Sequence, residues 1–351
     1  MSVELLNLLT HLAFAGAVFL CSAAMTYVMA RYVRVMDVPN ERSSHTRPVP
    51  KSGGIAIVAT FVIGSLVIYF VADVARIDSG YFWGYLIAAV LLATVSFVDD
   101  VLQKAFAAKI VTQVLCTSVA LVSGVVLTRL ALPPWGEVQL GWAGYALTFL
   151  WILGLTNAYN FMDGLDGLAG GVAVIAAAFL GAIALEQRSV FVYLSSYVLL
   201  AGAAGFLLFN FPPAKIFMGD VGSAFLGFTF AILSVIGASL DLGHLSFYIV
   251  PMLLFHFIFD TVFTFVRRLL RGEPVHLAHR THLYQLLNRL GYSHRAVSLF
   301  YYAMTVLQGM AAFVSITLHP DQRLYLFIPF LVFDLAYAGW VLARARARGL
   351  L

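Results

Sequence analysis

Apolar runs of about the length that crosses a bilayer as helix follow one another along nearly the whole chain. A hydrocarbon core of ~30 Å takes about 20 helical residues. Runs of that order fall near residues 5–30, 54–72, 81–98, 108–128, 142–158, 168–185, 190–209, 222–240, 246–266, 297–317 and 323–343. They predict an all-α polytopic membrane protein with about eleven transmembrane helices. The weakest is 142–158, where Trp142, Gly144 and Tyr145 precede a modest apolar stretch. Of 351 residues, 62% are apolar and 11% charged, which excludes a water-soluble globular domain of this length. The first run is too long for the apolar part of a signal peptide and follows Glu4 instead of a basic segment, so it reads as a retained span.

Eleven spans place successive connections on alternate sides, and the distribution of Lys and Arg then sets the orientation. One side holds Arg31, Arg34, Arg42, Arg47, Lys51, Lys104, Lys109, Lys215, Arg267, Arg268, Arg271, Arg280, Arg289, Arg295, Arg344, Arg346 and Arg348, and the other holds Arg76, Arg129, Arg188 and Arg323. Seventeen against four predicts that the first side is cytoplasmic, with the N-terminus outside and the C-terminus inside. The net charge of +4 is thereby explained by topology, and no nucleic acid is implied. Trp83, Trp135, Trp142 and Trp340 suit interfacial anchoring. Cys21 and Cys116 lie inside apolar runs, read as small buried hydrophobes, and suggest neither a disulfide framework nor a thiolate metal site. Without repeats or long linkers, residues 1–351 read as a single integral membrane domain.

The polar residues that are costly at a membrane edge collect on the predicted cytoplasmic side, near 31–53, 99–107, 157–167, 210–221 and 267–296. In FVDDVLQ (97–103), Asp99 and Asp100 emerge together from an apolar helix; such a pair favours a shared proton or a cation, or is simply a solvated helix end. In NAYNFMDGLDGLAGG (157–171), Asn157, Asn160, Asp163 and Asp166 offer hard oxygen donors suited to Mg2+. If the segment is helical, Asp163 and Asp166 share a face. Its glycines let backbone approach a ligand. In FNFPPAKIFMGDVGSAFLGF (209–228), Asp220 stands before a long apolar helix, where it either caps that helix or binds a cation. In EPVHLAHRTHLYQ (273–285), His279, Arg280 and His282 could grip a pyrophosphate, helped by Arg267, Arg268 and Arg271; a transition-metal site would need further ligands that the segment lacks. Lys109 is a phosphate clamp or a snorkelling lysine. His256 and Asp260, four apart within the ninth run, read as a structural polar pair near the site.

Taken in this order and on one face, the four segments resemble the polyprenyl-phosphate N-acetylhexosamine-1-phosphate transferase family, with DVPNERSSHTRPVPKSGG from residue 37 as a further matching stretch that includes Arg42 and His45. The resemblance covers roughly residues 37–285. It implies a transferase that moves a sugar 1-phosphate from a UDP-N-acetylsugar to polyprenyl phosphate in the inner membrane, with Mg2+ as cofactor and Mn2+ as the alternative. It implies that Asp99 and Asp100 lie beside the lipid phosphate, that Asp220 with Asn160 holds the metal, and that Asp163, Asp166 and His282 are catalytic. Lys109, Asn157, His279, Arg280, Arg42 and His45 become substrate-binding residues, and a homodimer is common in the family. HLYQ (282–285) stands where HIHH is usual, and AHRTHLYQ resembles the subgroup that starts O-antigen with 6-deoxy-N-acetylsugars. A transporter or flippase would instead place polar residues at mid-span, and the spacing of a CDP-alcohol phosphotransferase is not seen.

Overall fold

The computed structural model describes residues 3–33, 35–39, 47–72, 77–102, 106–274 and 279–351. Its helices are α1 (Val3–Tyr32), α2 (Gly54–Val71), α3 (Ser79–Leu102), α4 (Phe106–Val122), α5 (Trp142–Phe161), α6 (Leu168–Glu186), α7 (Val190–Asn210), α8 (Gly219–Ser239), α9 (Ile249–Leu253), α10 (Phe255–Leu270), α11 (Leu283–Arg289), α12 (His294–Ser315) and α13 (Phe327–Ala347). Each of the eleven predicted runs contains helix, with α9 and α10 sharing the ninth. Among the described residues, eight helices are long and apolar enough to cross a membrane, and they contain α1, α2, α3, α6, α7, α8, α12 and α13. The chain is an integral multi-pass membrane protein.

The other three runs fall short of that standard for identifiable reasons. α4 has 17 residues and ends well before residue 128. α5 is long enough, but Asn157 and Asn160 occupy its last turns. The ninth run breaks at Leu254, and its second half ends on Arg267 and Arg268. The architecture is all-α as expected, with two small two-stranded sheets in its connections. β1 (Met36–Asp37) pairs antiparallel with β2 (Val49–Pro50), and β3 (Arg129–Leu132) with β4 (Gly136–Gln139). Backbone outside a helix still needs partners, and a hairpin supplies them locally.

α8 runs through the centre. All eighteen residues from 221 to 238 are buried, walled by α2, α3, α5 and α7 among others. Apolar side chains alone gain little by leaving lipid for protein, so such packing depends on close backbone approach and matched polar groups. Both are present. A Cβ on Gly227 would lie 2.7 Å from the Leu155 carbonyl oxygen of α5, and one on Gly54 would lie 2.4 Å from Gly222 Cα. The Tyr85 hydroxyl donates to Thr229 Oγ1 at 3.1 Å, and the Trp151 indole N–H to Ser234 Oγ at 2.8 Å. Cys116 is buried as expected, whereas Cys21 is exposed on α1.

Just before α8, residues 50–54 lie along 217–218. Phe217 N–H donates to Pro50 O, and the N–H groups of Ser52, Gly53 and Gly54 donate back to Phe217 and Met218 carbonyls at 2.9–3.3 Å. This strap brings the start of α2 against the start of α8.

Candidate active site

Asp220 sits in the first turn of α8, where the partial positive charge of the helix end favours a carboxylate. Its carboxylate oxygens accept from side chains of two other helices. Lys109, from α4, donates to Asp220 Oδ2 and to Asn160 Oδ1, both at 2.7 Å. Asn160, from the end of α5, donates from Nδ2 to Asp220 Oδ1 at 2.9 Å and to Ser223 Oγ at 2.8 Å. Three helices thus close a ring in which two oxygens converge on one cation.

A second ion pair lies alongside. Asp100, buried in the last turn of α3, is 3.3 Å from Lys51 Nζ on the strap and accepts a 3.4 Å hydrogen bond from Val221 N–H. Gly219 makes this approach feasible: its φ is +73°, and a Cβ there would lie 2.7 Å from Asp100 Oδ2. Asp99, half-buried, precedes Asp100 on the same turn.

Lys109 also lines a cleft of about 580 Å³ between α5 and α10. Asp163, His279 and His282 contribute its polar part, while Leu155, Ile258, Val262 and Phe265 make an apolar wall. Burial, and then the charges of Asp220 and Asp100, push the Asp163 carboxyl up to about 8. Burial, and then the neighbouring His282, Arg268 and Arg267, bring His279 down to about 4, so its ring is neutral at pH 7.

His282 is fixed from behind. Its Nδ1 lies 3.2 Å from Asp260 Oδ1, which leaves Nε2 as the ring nitrogen available to a ligand in the cleft. Asp260 accepts in addition from Leu283 N–H at 2.9 Å, Tyr284 N–H at 3.1 Å and the Tyr301 hydroxyl at 3.1 Å. This one carboxylate therefore orients the imidazole and caps α11 together. His256, expected to share a polar pair with it, bonds instead to Gln308 Oε1 at 2.6 Å.

The remaining expected residues divide. Asn157 donates to Gln113 Oε1 at 2.7 Å and to its own helix at Leu153 O, next to the ring without joining it. Asp166 faces away from Asp163, because residues 162–167 are a turn and not the helix that would align them. It accepts from Ala214 N–H at 3.0 Å and lies 3.1 Å from His294 Nδ1. The Arg280 carbonyl accepts from Arg289 beside the cleft. Arg42 and His45 lie outside the described residues. Sequence reasoning gave no role to Gln113 or Ser223, and it left Lys51, like Arg47, between a substrate contact and a lipid-headgroup contact without naming Asp100 as its partner.

Among the described residues, no group of three or more His, Cys, Asp or Glu side chains could hold a metal alone. Asp220 and Asn160 nevertheless fit Mg2+, which commonly takes one or two protein oxygens and draws the rest from phosphates and water. Their two oxygens already converge on a cation, the Lys109 ammonium.

Comparison with known proteins shows the family of the chain. Residues 82–238, which include Asp100, Lys109, Asn160, Asp163 and Asp220, match Glycosyl transferase family 4. A probable undecaprenyl-phosphate N-acetylglucosaminyl 1-phosphate transferase of Bacillus subtilis is 35% identical over 285 residues, covering 80% of this chain and 77% of the relative. A decaprenyl-phosphate N-acetylglucosaminephosphotransferase of Mycobacterium tuberculosis is 30% identical over 346 residues, covering 89% and 84%. A phospho-N-acetylmuramoyl-pentapeptide-transferase of Listeria monocytogenes is 34% identical over 210 residues, covering 56% and 63%. With the Bacillus subtilis relative 35% identical over most of each chain, the protein belongs to the polyprenyl-phosphate hexosamine-1-phosphate transferases of glycosyl transferase family 4.

Proposed function

We propose that this chain transfers an N-acetylhexosamine 1-phosphate from a UDP-sugar to polyprenyl (undecaprenyl) phosphate, releasing UMP and starting a lipid-linked glycan such as O-antigen. The site faces the cytoplasm from the inner membrane, and the enzyme is a homodimer. The observation that carries the reading is Lys109, which belongs both to the ring with Asn160 and Asp220 and to a cleft with an apolar wall. One end suits a pyrophosphate and the other a hydrocarbon tail.

Asp220 and Asn160 would hold Mg2+, with Mn2+ as the alternative, and the ion would supply charge neutralisation to the donor's phosphates. The chain's own residues position the rest. Asp99 and Asp100 orient or deprotonate the lipid phosphate, and Lys51 holds Asp100 in place. A phosphate oxygen of the lipid attacks the sugar-bearing phosphorus, the bond to the UMP oxygen breaks, and UMP leaves with the electron pair. Lys109, Arg280 and the Nε2 side of His282 stabilise the negative charge that grows on the phosphates. Asn157, His279, Arg42 and His45 bind substrate around them, while Asp163 and Asp166 shape the glycine-rich segment against the nucleotide. Because two of the relatives are named for N-acetylglucosamine and the third for N-acetylmuramoyl-pentapeptide, the donor is an open variable among N-acetylhexosamines, 6-deoxy forms included.

The test is UMP release by purified protein from a panel of UDP-N-acetylsugars with undecaprenyl phosphate, with and without Mg2+. Metal-dependent turnover with one donor is expected, falling by about 10²–10³ in Asp220→Ala and in Lys109→Ala. Full activity after chelation, or in folded Asp220→Ala, would sink the assignment. Exchange of labelled UMP into donor without acceptor would mark a covalent phosphoryl-Asp route in place of direct attack.

A further inference from the structure

A second cavity lies between α11, α12 and α13 and shares no residue with the cleft. It is a trough of about 570 Å³ with apolar walls that include Leu287, Phe300 and Phe333. A smaller space of about 150 Å³ adjoins it, lined by Arg344 and Arg348, and Tyr292 and Trp340 belong to both. The Arg344 guanidinium lies 5.8 Å from the centre of the Trp340 ring, and Arg348 NH1 donates to Leu290 O at 2.7 Å. Both arginines are exposed, and neither forms an ion pair among the described residues.

An apolar trough that ends in an indole and two uncompensated guanidinium groups has the chemistry of an amphiphile with an anionic head. Acyl chains match the trough, a phosphodiester matches the guanidinium donors, and tryptophan favours the boundary between them. We propose that this trough and its two arginines bind an anionic glycerophospholipid. Charge complementarity selects that occupant, because a zwitterionic head brings a cation of its own to a site that already holds two. Leu287 of the trough is on α11, the helix that follows His282. A lipid seated there braces the element that Asp260 caps, without touching the cleft.

The experiment is native mass spectrometry of delipidated protein offered equimolar phosphatidylglycerol and phosphatidylcholine, paired with thermal midpoints measured in each lipid. Wild-type protein is expected to retain phosphatidylglycerol preferentially and to be stabilised by it. Each of Arg344→Ala and Arg348→Ala should lower that preference by roughly fivefold, leaving phosphatidylcholine retention unchanged. Should either alanine variant unfold, Arg344→Gln and Arg348→Gln keep the side-chain length and carry the same expectation. Equal retention of both lipids by wild type, or an unchanged preference in the double variant, overturns the proposal. Stabilisation by glycerol 3-phosphate as large as that by phosphatidylglycerol also overturns it, in favour of a small-anion site. Displacement of phosphatidylglycerol by stoichiometric polyprenyl phosphate overturns it in favour of a second acceptor position.

Discussion

Asp163 and Asp166 stand three positions apart and meet opposite surroundings. Asp166 is held by Ala214 N–H and His294, whereas Asp163 lines the cleft near the charges of Asp220 and Asp100. Folded, Asp163 keeps its proton to about pH 8; in an unfolded chain it loses it near 3.8. The fold therefore binds one more proton than the unfolded chain across that window, and this group's contribution to stability diminishes as pH rises through it. A divalent cation on Asp220 would remove part of the repulsion and release the proton. We expect Mg2+ to raise the thermal midpoint more at pH 8 than at pH 6, and Asp163→Asn to make the two gains equal. The same pH dependence in the variant would show that another group is responsible. The acids themselves were legible in the sequence because charge at a membrane edge is rare. Their division of labour was not, since only the non-helical turn at 162–167 separates two residues that the spacing treats alike. The pairing of Lys51 with Asp100 was illegible for a related reason: the two lie 49 positions apart, and only the strap beside Phe217 brings them together.

Helices were the most legible elements, because bilayer thickness fixes their length and leaves its mark in composition. Breaks and hairpins were the least legible. The interruption at Leu254 and the short pairs β1–β2 and β3–β4 answer local backbone demands that apolar runs do not encode. The crossing of α2 over α8 depends on a pair of residues with no side chain to spare. Gly54→Val should lower the thermal midpoint in detergent through overpacking of about 1–3 kcal/mol, since even a Cβ there would meet Gly222 at 2.4 Å. Gly16→Ala, where nothing lies within 4 Å, should leave the midpoint unchanged or slightly higher. Equal effects at the two sites would mean that this crossing is not tightly packed.

At the scale of the molecule, eight helices among the described residues meet the length and composition of a span, and the proposed orientation adds α4, α5 and the α9–α10 pair to reach eleven. That orientation puts the β3–β4 hairpin outside and the turn after α10 inside. With Cys21 and Cys116 replaced, a single cysteine at Glu137 should react with a membrane-impermeant maleimide in intact cells, and one at Gly272 only after permeabilisation. Reaction of both in intact cells would reduce the number of crossings between them. The central position of α8 also bears on how the bilayer can act on the protein. Peripheral helices such as α1 and α13 present apolar side chains to lipid and must tilt or shift when hydrocarbon thickness changes. α8 has no lipid contact along residues 221–238, so the depth of Asp220 is referenced to its neighbouring helices and not to the membrane. Lipid composition can thus vary around the protein while the carboxylate at its centre keeps its place.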